Sequence, residues 1–509
     1  MGKTRGIVNP VLIRVNGKVE LCSGHPRHYY APLSLKYIQS AEQQRLGKPV
    51  ALLDALDYSD TPSAQARRIV PLNPDVAVIQ ASSPGLDESL QLGTLLREAG
   101  IPTVAVGQQV SHAMYQPVPG WDRAFDIAIP GEPEQEVSLL LSRLDGPDSI
   151  GREAAYYSEM LQNRRPLMVE EPDRLPVPQF SLVELTRYRF PLPIPGVCAD
   201  RWGYVLSSWG CQRHCLHCSG VTRKTPGGVW RARNPQMVAD EVERLHEVGA
   251  QAICFEDDNL FHDPDHVARL CLEMAGRGRR LPWMAHARPD DLDERRVSHA
   301  AKAGAKLLKV GVESGSPRVI ERLGKTAGGE GWIAAVRKSF GLLQRYGIGS
   351  VALFMLGMPD ENVSDTLQSL RLACELRPTY VQVQIFCPYP DTRYYSLLQR
   401  ERRRTIFGPQ YHYSTPVWSP SNIPVKQLAG LQRSFYRRFY LRPSFAVHQA
   451  RRLANGLKLG QAMGIFSWLL SRNGHNKLTR DNYVPKQLEQ QGRQESLYVA
   501  AKLGEAADS

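Results

Sequence analysis

The stretch "SSWGCQRHCLHCSG", residues 207–220, places Cys211, Cys215 and Cys218 at offsets of four and three, while the other six of the nine cysteines are scattered. Three thiols on one short segment suit a metal or redox group, because thiolate is the soft ligand that zinc and iron–sulfur clusters prefer. Structural zinc takes four protein ligands, often as two separated cysteine pairs. This sequence has no second pair, so a zinc reading must recruit a fourth ligand such as His214. Three thiolates can instead hold a four-iron, four-sulfur cluster through three irons and leave the fourth open. Gly210 before the first cysteine and Ser219-Gly220 after the last allow the backbone to wrap tightly.

The spacing, set after the first strand of a β/α series, resembles the signature of the radical S-adenosylmethionine (radical SAM) superfamily. The resemblance implies a [4Fe-4S] cluster on Cys211, Cys215 and Cys218, with S-adenosyl-L-methionine chelating the open iron and cleaved to a 5′-deoxyadenosyl radical. It also implies an electron donor such as flavodoxin or ferredoxin. The residue before the third cysteine, commonly aromatic in the family, is His217 here. Further S-adenosylmethionine contacts are implied at successive strand ends. Glu256, Asp257 and Asp258 in "FEDDN" would accept from the methionine amine. Arg288 in "HARPDDL" would meet the carboxylate with its guanidinium fork. Glu313 and Ser314 in "GVESGS" would contact ribose and methionine, and Gly357 with Pro359 in "FMLGMPDEN" would shape a turn supporting adenine. No side chain is assigned to catalysis. Cys387, after the sixth strand, reads as packing, with a role as acid or hydrogen donor as the alternative.

Positioning these residues requires a barrel. "GYVLSSWG", "AICFEDDN", "PWMAHARPD", "LLKVGVESGS", "GSVALFMLGMPD" and "YVQVQIFCPYP" read as six strands separated by helices, a partial (β/α)6 TIM-like barrel whose chemistry gathers at the C-terminal strand ends. An earlier series, including "NPVLIRV", "KPVALLDAL", "PDVAVIQASS", "IPTVAVGQQ" and "AFDIAIPG", reads as a Rossmann-like, flavodoxin-like parallel sheet covered by helices on both faces. Such sheets bind ligands beyond their C-terminal strand ends. The expected class is therefore α/β: a sheet domain over 1–145, a proline-rich linker over 146–198, the barrel over 199–424, and a C-terminal helical region with a disordered tail over 425–509.

The first of these regions resembles the cobalamin-binding domain that precedes the barrel in one radical SAM subgroup, which holds methyltransferases and the anaerobic magnesium-protoporphyrin ester cyclase. The resemblance implies cobalamin contacts at Ser82, Ser83, Gly107, Gln108, Gly131 and Glu132, with Gln108 standing where a second glycine is usual. The Asp-x-His-x-x-Gly motif that ligates cobalt elsewhere is replaced by "LCSGHPRHYYAPL". Many radical SAM members lack it too and leave the lower cobalt face without histidine; His25 or His28 is the alternative. The implied activity is methyl transfer through methylcobalamin to an unactivated carbon, or phosphorus, of a small-molecule biosynthetic intermediate. Oxidative cyclisation or rearrangement is a second reading, and a non-catalytic iron–sulfur or corrinoid-binding module a third.

Composition narrows the partners. Of 509 residues, 42% are hydrophobic and 22% charged, which fits folded domains. The net charge of +12 is dispersed, and "QRERRRTIF" at 399–407 reads as a solvated helix face, so nucleic acid is not expected. The first residues lack a signal-peptide core, and no window approaches the roughly 20 apolar residues of a membrane span. A cytoplasmic, reducing location is expected, where the cysteines form no disulfide framework and Cys254 and Cys374 pack in the core. "SFAVHQARRLANGLKLGQAMGIFSWLL" reads either as an amphipathic helix against the barrel or as a peripheral membrane contact. Nothing in the sequence sets the oligomeric state.

Overall fold

A computed structural model describes residues 8–15, 31–55, 61–82, 85–188, 194, 196–219, 229–277, 280–326, 328–400, 422–443 and 445. The first sheet is built from short runs that are apolar on both faces: β1 (Pro10–Arg14), β2 (Ala51–Asp54), β3 (Val76–Gln80), β4 (Thr103–Val106) and β5 (Ile127–Ala128). All pairs are parallel and the order is β2-β1-β3-β4-β5. Because successive strand residues face opposite ways, the sheet feeds two cores. Ile13, Ile79 and Ala105 pack on Leu92 and Leu96, whereas Leu12, Val78 and Val104 pack on Ile38, Leu140 and Leu141. The order reverses beside β1, and such a switch opens a crevice at the C-terminal strand ends.

The expected linker is more structured than its prolines imply. A helix over Pro147–Gln162 presents Ile150, Ala154 and Tyr157 to the second of those cores, with the Tyr157 ring fully buried. Those residues recur at i, i+4 and i+7, a helical stripe that the proline-rich stretch after it obscures in the sequence. Ser181 and Glu184 then form a reciprocal cap on a short helix at Leu182–Arg187.

The second sheet contains β6 (Trp202–Val205), β9 (Ala252–Phe255), β10 (Trp283–Ala287), β11 (Ala305–Glu313), β12 (Gly349–Leu356) and β13 (Tyr380–Ile385), parallel and in chain order across the sheet. Between β6 and β9 lies a small antiparallel hairpin, β7 (Ser208–Trp209) with β8 (Arg231–Ala232). This corrects the expectation of one continuous strand through "GYVLSSWG": the chain leaves the sheet after Val205, and the cysteines follow the hairpin strand instead. Four of the helices between strands start at Asn234, Asp263, Asp293 and Asn362, each of which caps a backbone N–H with its side chain; the two helices between β11 and β12 have no such cap.

A helix over Val425–Tyr440 closes the β13 edge. The Tyr436 and Tyr440 hydroxyls accept from the Val383 and Val381 amides at 2.8 and 3.1 Å, and Gln432 donates to the Val383 carbonyl at 2.7 Å. An edge strand's unpaired groups are thereby satisfied within the chain. Of the amphipathic segment expected after it, only Phe445 is among the described residues, with its ring against Phe439 and Tyr440. Among the described residues no helix is long and apolar enough to cross a membrane.

Candidate active site

The cysteine segment is held at almost every residue. It begins at Gly210, whose φ of +77° favours glycine and where a Cβ would lie 2.3 Å from the Val229 carbonyl oxygen. Asp257, buried at the end of β9, accepts from the Ser207 amide (3.1 Å) and from the Ser207 and Ser208 hydroxyls (both 2.6 Å), fixing the hairpin before the first thiol. Beyond it, Gln212 accepts from His262 at 3.0 Å, and Arg213 pairs with Asp291, which also accepts from Asn259 at 2.6 Å. The Leu216 amide donates to the Leu323 carbonyl (3.2 Å) and its carbonyl accepts from the Tyr394 amide (3.1 Å). Cys211 is buried, while Cys215 and Cys218 are half-exposed; His214 points to the exposed side.

Charged side chains from the strand ends converge on the loop. Arg288, following β10, donates from Nη1 to Cys215 Sγ at 3.2 Å and grips Asp290 through Nε (3.0 Å) and Nη2 (2.8 Å). Burial alone would weaken the protonated guanidinium, but the hydrogen bonds and charge of Asp290 outweigh it and raise its pKa. Glu313, at the end of β11, has a φ of +68° and accepts from Lys325 Nζ at 2.6 Å. Burial pushes its carboxyl up, yet Lys325, then His217 and Arg288, bring it below the ordinary carboxylate value. Arg288 and Lys325 both sit over the Trp332 ring, at 5.1 and 4.9 Å. Arg288, Glu313 and His217 thus meet around the loop.

The other expected contacts are placed differently. Asp257 is spent on the hairpin and its pKa is raised by burial, against which the Ser207 and Ser208 hydrogen bonds act. Glu256 accepts from Cys254 Sγ at 2.9 Å near Lys309; burial raises its pKa despite Lys309. Asp258 is exposed. Ser314 is buried, accepting from the Ser316 amide at 3.1 Å and bonded to Ser369 at 3.2 Å, so its hydroxyl shapes the turn after β11. Gly357 donates its amide to the buried Glu361 at 2.6 Å, after β12. Cys387 is buried, and burial pushes its thiol above its usual range, which fits packing.

The first sheet's C-terminal edge meets this loop. Gly107 follows β4, and Gln108 opens the helix Gln108–Ala113. Gln108 Nε2 donates to Ser219 Oγ at 3.2 Å, one residue beyond Cys218. Glu132, following β5, accepts from the Val169 amide at 2.7 Å and takes both ends of Arg231 of β8, at 2.7 and 2.8 Å. At Gly131 (φ +94°) a Cβ would lie 2.2 Å from the Leu167 carbonyl oxygen, so chain pairing with Leu167 demands glycine there. Gln108, Gly131 and Glu132 therefore serve contacts within the protein. Ser82 is half-exposed at the end of β3. Ser83, Gly220, His25 and His28 lie outside the described residues.

The residues present fit the implied groups at the loop. Among the described residues no three His, Cys, Asp or Glu side chains converge on one point, and a cubane takes each thiolate at a different iron. An anion and a guanidinium beside the thiols match the two ends of an amino acid. The family model of the radical SAM superfamily matches residues 205–373. That part of the chain is a radical SAM domain. The chain is 26% identical over 424 residues to an uncharacterized methyltransferase of Pyrococcus horikoshii, covering 82% of this chain and 89% of the relative. It is 23% identical over 413 residues to the anaerobic magnesium-protoporphyrin IX monomethyl ester cyclase of Rubrivivax gelatinosus, covering 78% and 71%. The solved structure of the radical S-adenosylmethionine methyltransferase TsrM from Kitasatospora setae, with cobalamin and a [4Fe-4S] cluster bound, superposes with a TM-score of 0.58. At 18% identity, over 99% of this chain and 100% of that one, this is a likeness of fold.

Sequence reading passed over Lys325 and Trp332 of the radical SAM domain: Lys325 sits between two helices, and Trp332 lies on the buried face of the helix Gly329–Arg345, where it reads as core packing. It also passed over Asp291 and Asp391. The double aspartate in "HARPDDL" was quoted for Arg288, and its second member is the brace for Arg213.

Proposed function

We propose that the chain is a cobalamin-dependent radical SAM methyltransferase acting on an unactivated carbon, or phosphorus, of a small biosynthetic intermediate. The observation that carries this reading is the meeting of the cysteine loop with the C-terminal edge of the first sheet, through Gln108 and Ser219. Two ligand-binding edges facing one another give a methyl carrier and a radical initiator access to one substrate. The relatives and the fold likeness support it. Residues 1–145, extended by the helix at 147–162, form the cobalamin domain; 199–424 form the barrel, and 425–440 its edge cover.

When bound, the cluster with S-adenosylmethionine supplies hydrogen abstraction and cobalamin supplies the methyl group. The protein's own part is to hold and exclude. Cys211, Cys215 and Cys218 would hold the cluster; Arg288 would meet the methionine carboxylate, and Glu313, kept ionised by Lys325, would meet its amine. Trp332 backs both cations, keeping water from one side. An external one-electron donor of the flavodoxin or ferredoxin kind would supply the electron that the cluster needs, in keeping with a cytoplasmic location.

The test is anaerobic reconstitution with iron, sulfide, hydroxocobalamin and S-adenosylmethionine, followed by mass spectrometry of candidate intermediates. A product heavier by one methyl group, with 5′-deoxyadenosine formed, is the expected result. Formation of 5′-deoxyadenosine without added methyl mass would move the assignment to the cyclase or rearrangement class. Failure to consume S-adenosylmethionine under reductant would leave only a binding module.

A further inference from the structure

At the seam between the two sheets lies a buried polar cluster that the proposed reaction does not use. Asp391, fully buried after β13, accepts from Ser219 Oγ at 3.0 Å. His112, fully buried on the helix that follows β4, brings Nε2 to 3.4 Å from both Ser219 Oγ and Asp391 Oδ1. Gln108 donates to the same Ser219 oxygen. The bonds run in one sense: Ser219 gives its proton to Asp391, so its lone pairs take the Gln108 amide and the His112 N–H, which assigns the His112 tautomer with hydrogen on Nε2. The His112 ring stacks on Tyr389, with centroids 5.1 Å apart and planes 23° apart, so its rotation is restricted. A buried carboxylate is costly unless its bonds are made, and this one's contacts reach two separate parts of the chain, Ser219 and His112.

We propose that His112 and Asp391 are positioning residues for the third thiolate, acting through Ser219. This rests on the reading that Cys218 holds the cluster. Ser219 is peptide-bonded to Cys218, so fixing its hydroxyl fixes the direction in which the chain leaves that ligand. Outer groups of this kind orient ligands and tune the metal. The arrangement also makes the ligand loop responsive to the first sheet, because Gln108 and His112 both ride on the helix at that sheet's C-terminal edge.

The experiment uses the full chain, reconstituted anaerobically, in wild-type form and as Ser219→Ala, Ser219→Thr, Asp391→Asn, His112→Phe and Cys218→Ala. Two signals are read: iron release to a ferrous chelator, and the electron paramagnetic resonance spectrum of the reduced cluster with and without S-adenosylmethionine. Ser219→Ala, Asp391→Asn and His112→Phe should bind full iron and sulfide, release iron about 10-fold faster, and show shifted g values. Ser219→Thr, which keeps the hydroxyl, should restore both signals. His112→Phe keeps the stack on Tyr389, and Ser219→Ala removes a single oxygen, so at least one variant tests the bonds without disturbing the fold. Wild-type release rates and spectra in all three, alongside loss of the cluster in Cys218→Ala, would overturn the proposal alone. A full cluster in Cys218→Ala would overturn the cysteine reading and the proposal with it.

Discussion

The charges around the loop arise from pairing more than from any single residue. Arg288 touches a sulfur and is held by Asp290, and Glu313 is kept ionised in a buried place by Lys325. Replacing Arg288 by Lys keeps a charge but loses the fork that spans sulfur and carboxylate. S-adenosylmethionine affinity, measured by equilibrium dialysis on the reconstituted protein, should fall about 10-fold, the equivalent of ~1.4 kcal/mol. Lys325→Met should cost stability as well, by about 3 kcal/mol at neutral pH, because it leaves a buried carboxylate unpaired; thermal unfolding checks this. The three cysteines stand out by their spacing, and Arg288 and Glu313 are reached only through the family resemblance that this spacing carries. Lys325 and Trp332 could not, since their importance comes from a three-dimensional meeting that no local pattern records. Asp257 shows the opposite case: its type and place suggest a ligand contact, yet its oxygens are taken by the two serines before the cysteines.

The turns carry as much of the design as the strands. The hairpin β7–β8 exists because Gly210 lets the chain pass against the Val229 carbonyl. Gly210→Ala meets both a 2.3 Å contact and a positive φ, so it should cost about 2 kcal/mol and lower iron per chain after reconstitution. After β12, Glu361 accepts the Gly357 and Met358 amides at 2.6 and 2.8 Å; burial raises its pKa to about 7 in spite of them. A carboxyl with a raised pKa binds more protons folded than unfolded, so its ionisation costs stability as pH rises from about 4.5 through 7. Glu361→Gln can keep both accepted bonds. The melting temperature of wild type should therefore drop relative to Glu361→Gln between pH 5 and 8, and parallel curves would refute the assignment. The long strands are readable from their apolar runs, and the helices as the segments between them. The two-residue strands β7 and β8 are too short to have a period, and the helix at 147–162 is hidden by the prolines downstream.

At the scale of the molecule, the two sheets are joined by directed polar contacts beside the loop. Arg231 and Glu132 meet in a bidentate pair whose side chains are about one-tenth exposed, at 9% and 13%. Removing one partner leaves the other desolvated, so Glu132→Gln and Arg231→Ala should each lower the unfolding midpoint, and the double variant should lose less than their sum. Additive losses would mean that the pair is only a surface contact. Neither partner was legible as a tie: Glu132 reads as a strand-end residue, and Arg231 belongs to a strand that sequence does not reveal. The sequence carried both sheets because each strand buries its own apolar run. Their mutual placement rests on single polar side chains far apart in the chain, where pattern has no reach. That distance has a consequence for biosynthesis. When the three cysteines emerge from the ribosome, Gln108 and His112 have been made but other partners that brace the loop have not: Asp391 comes 172 positions after Ser219, and Tyr394 follows it. The full set of braces around the cysteines therefore exists only once the chain has been made through Tyr394, so the loop reaches its final support late in synthesis.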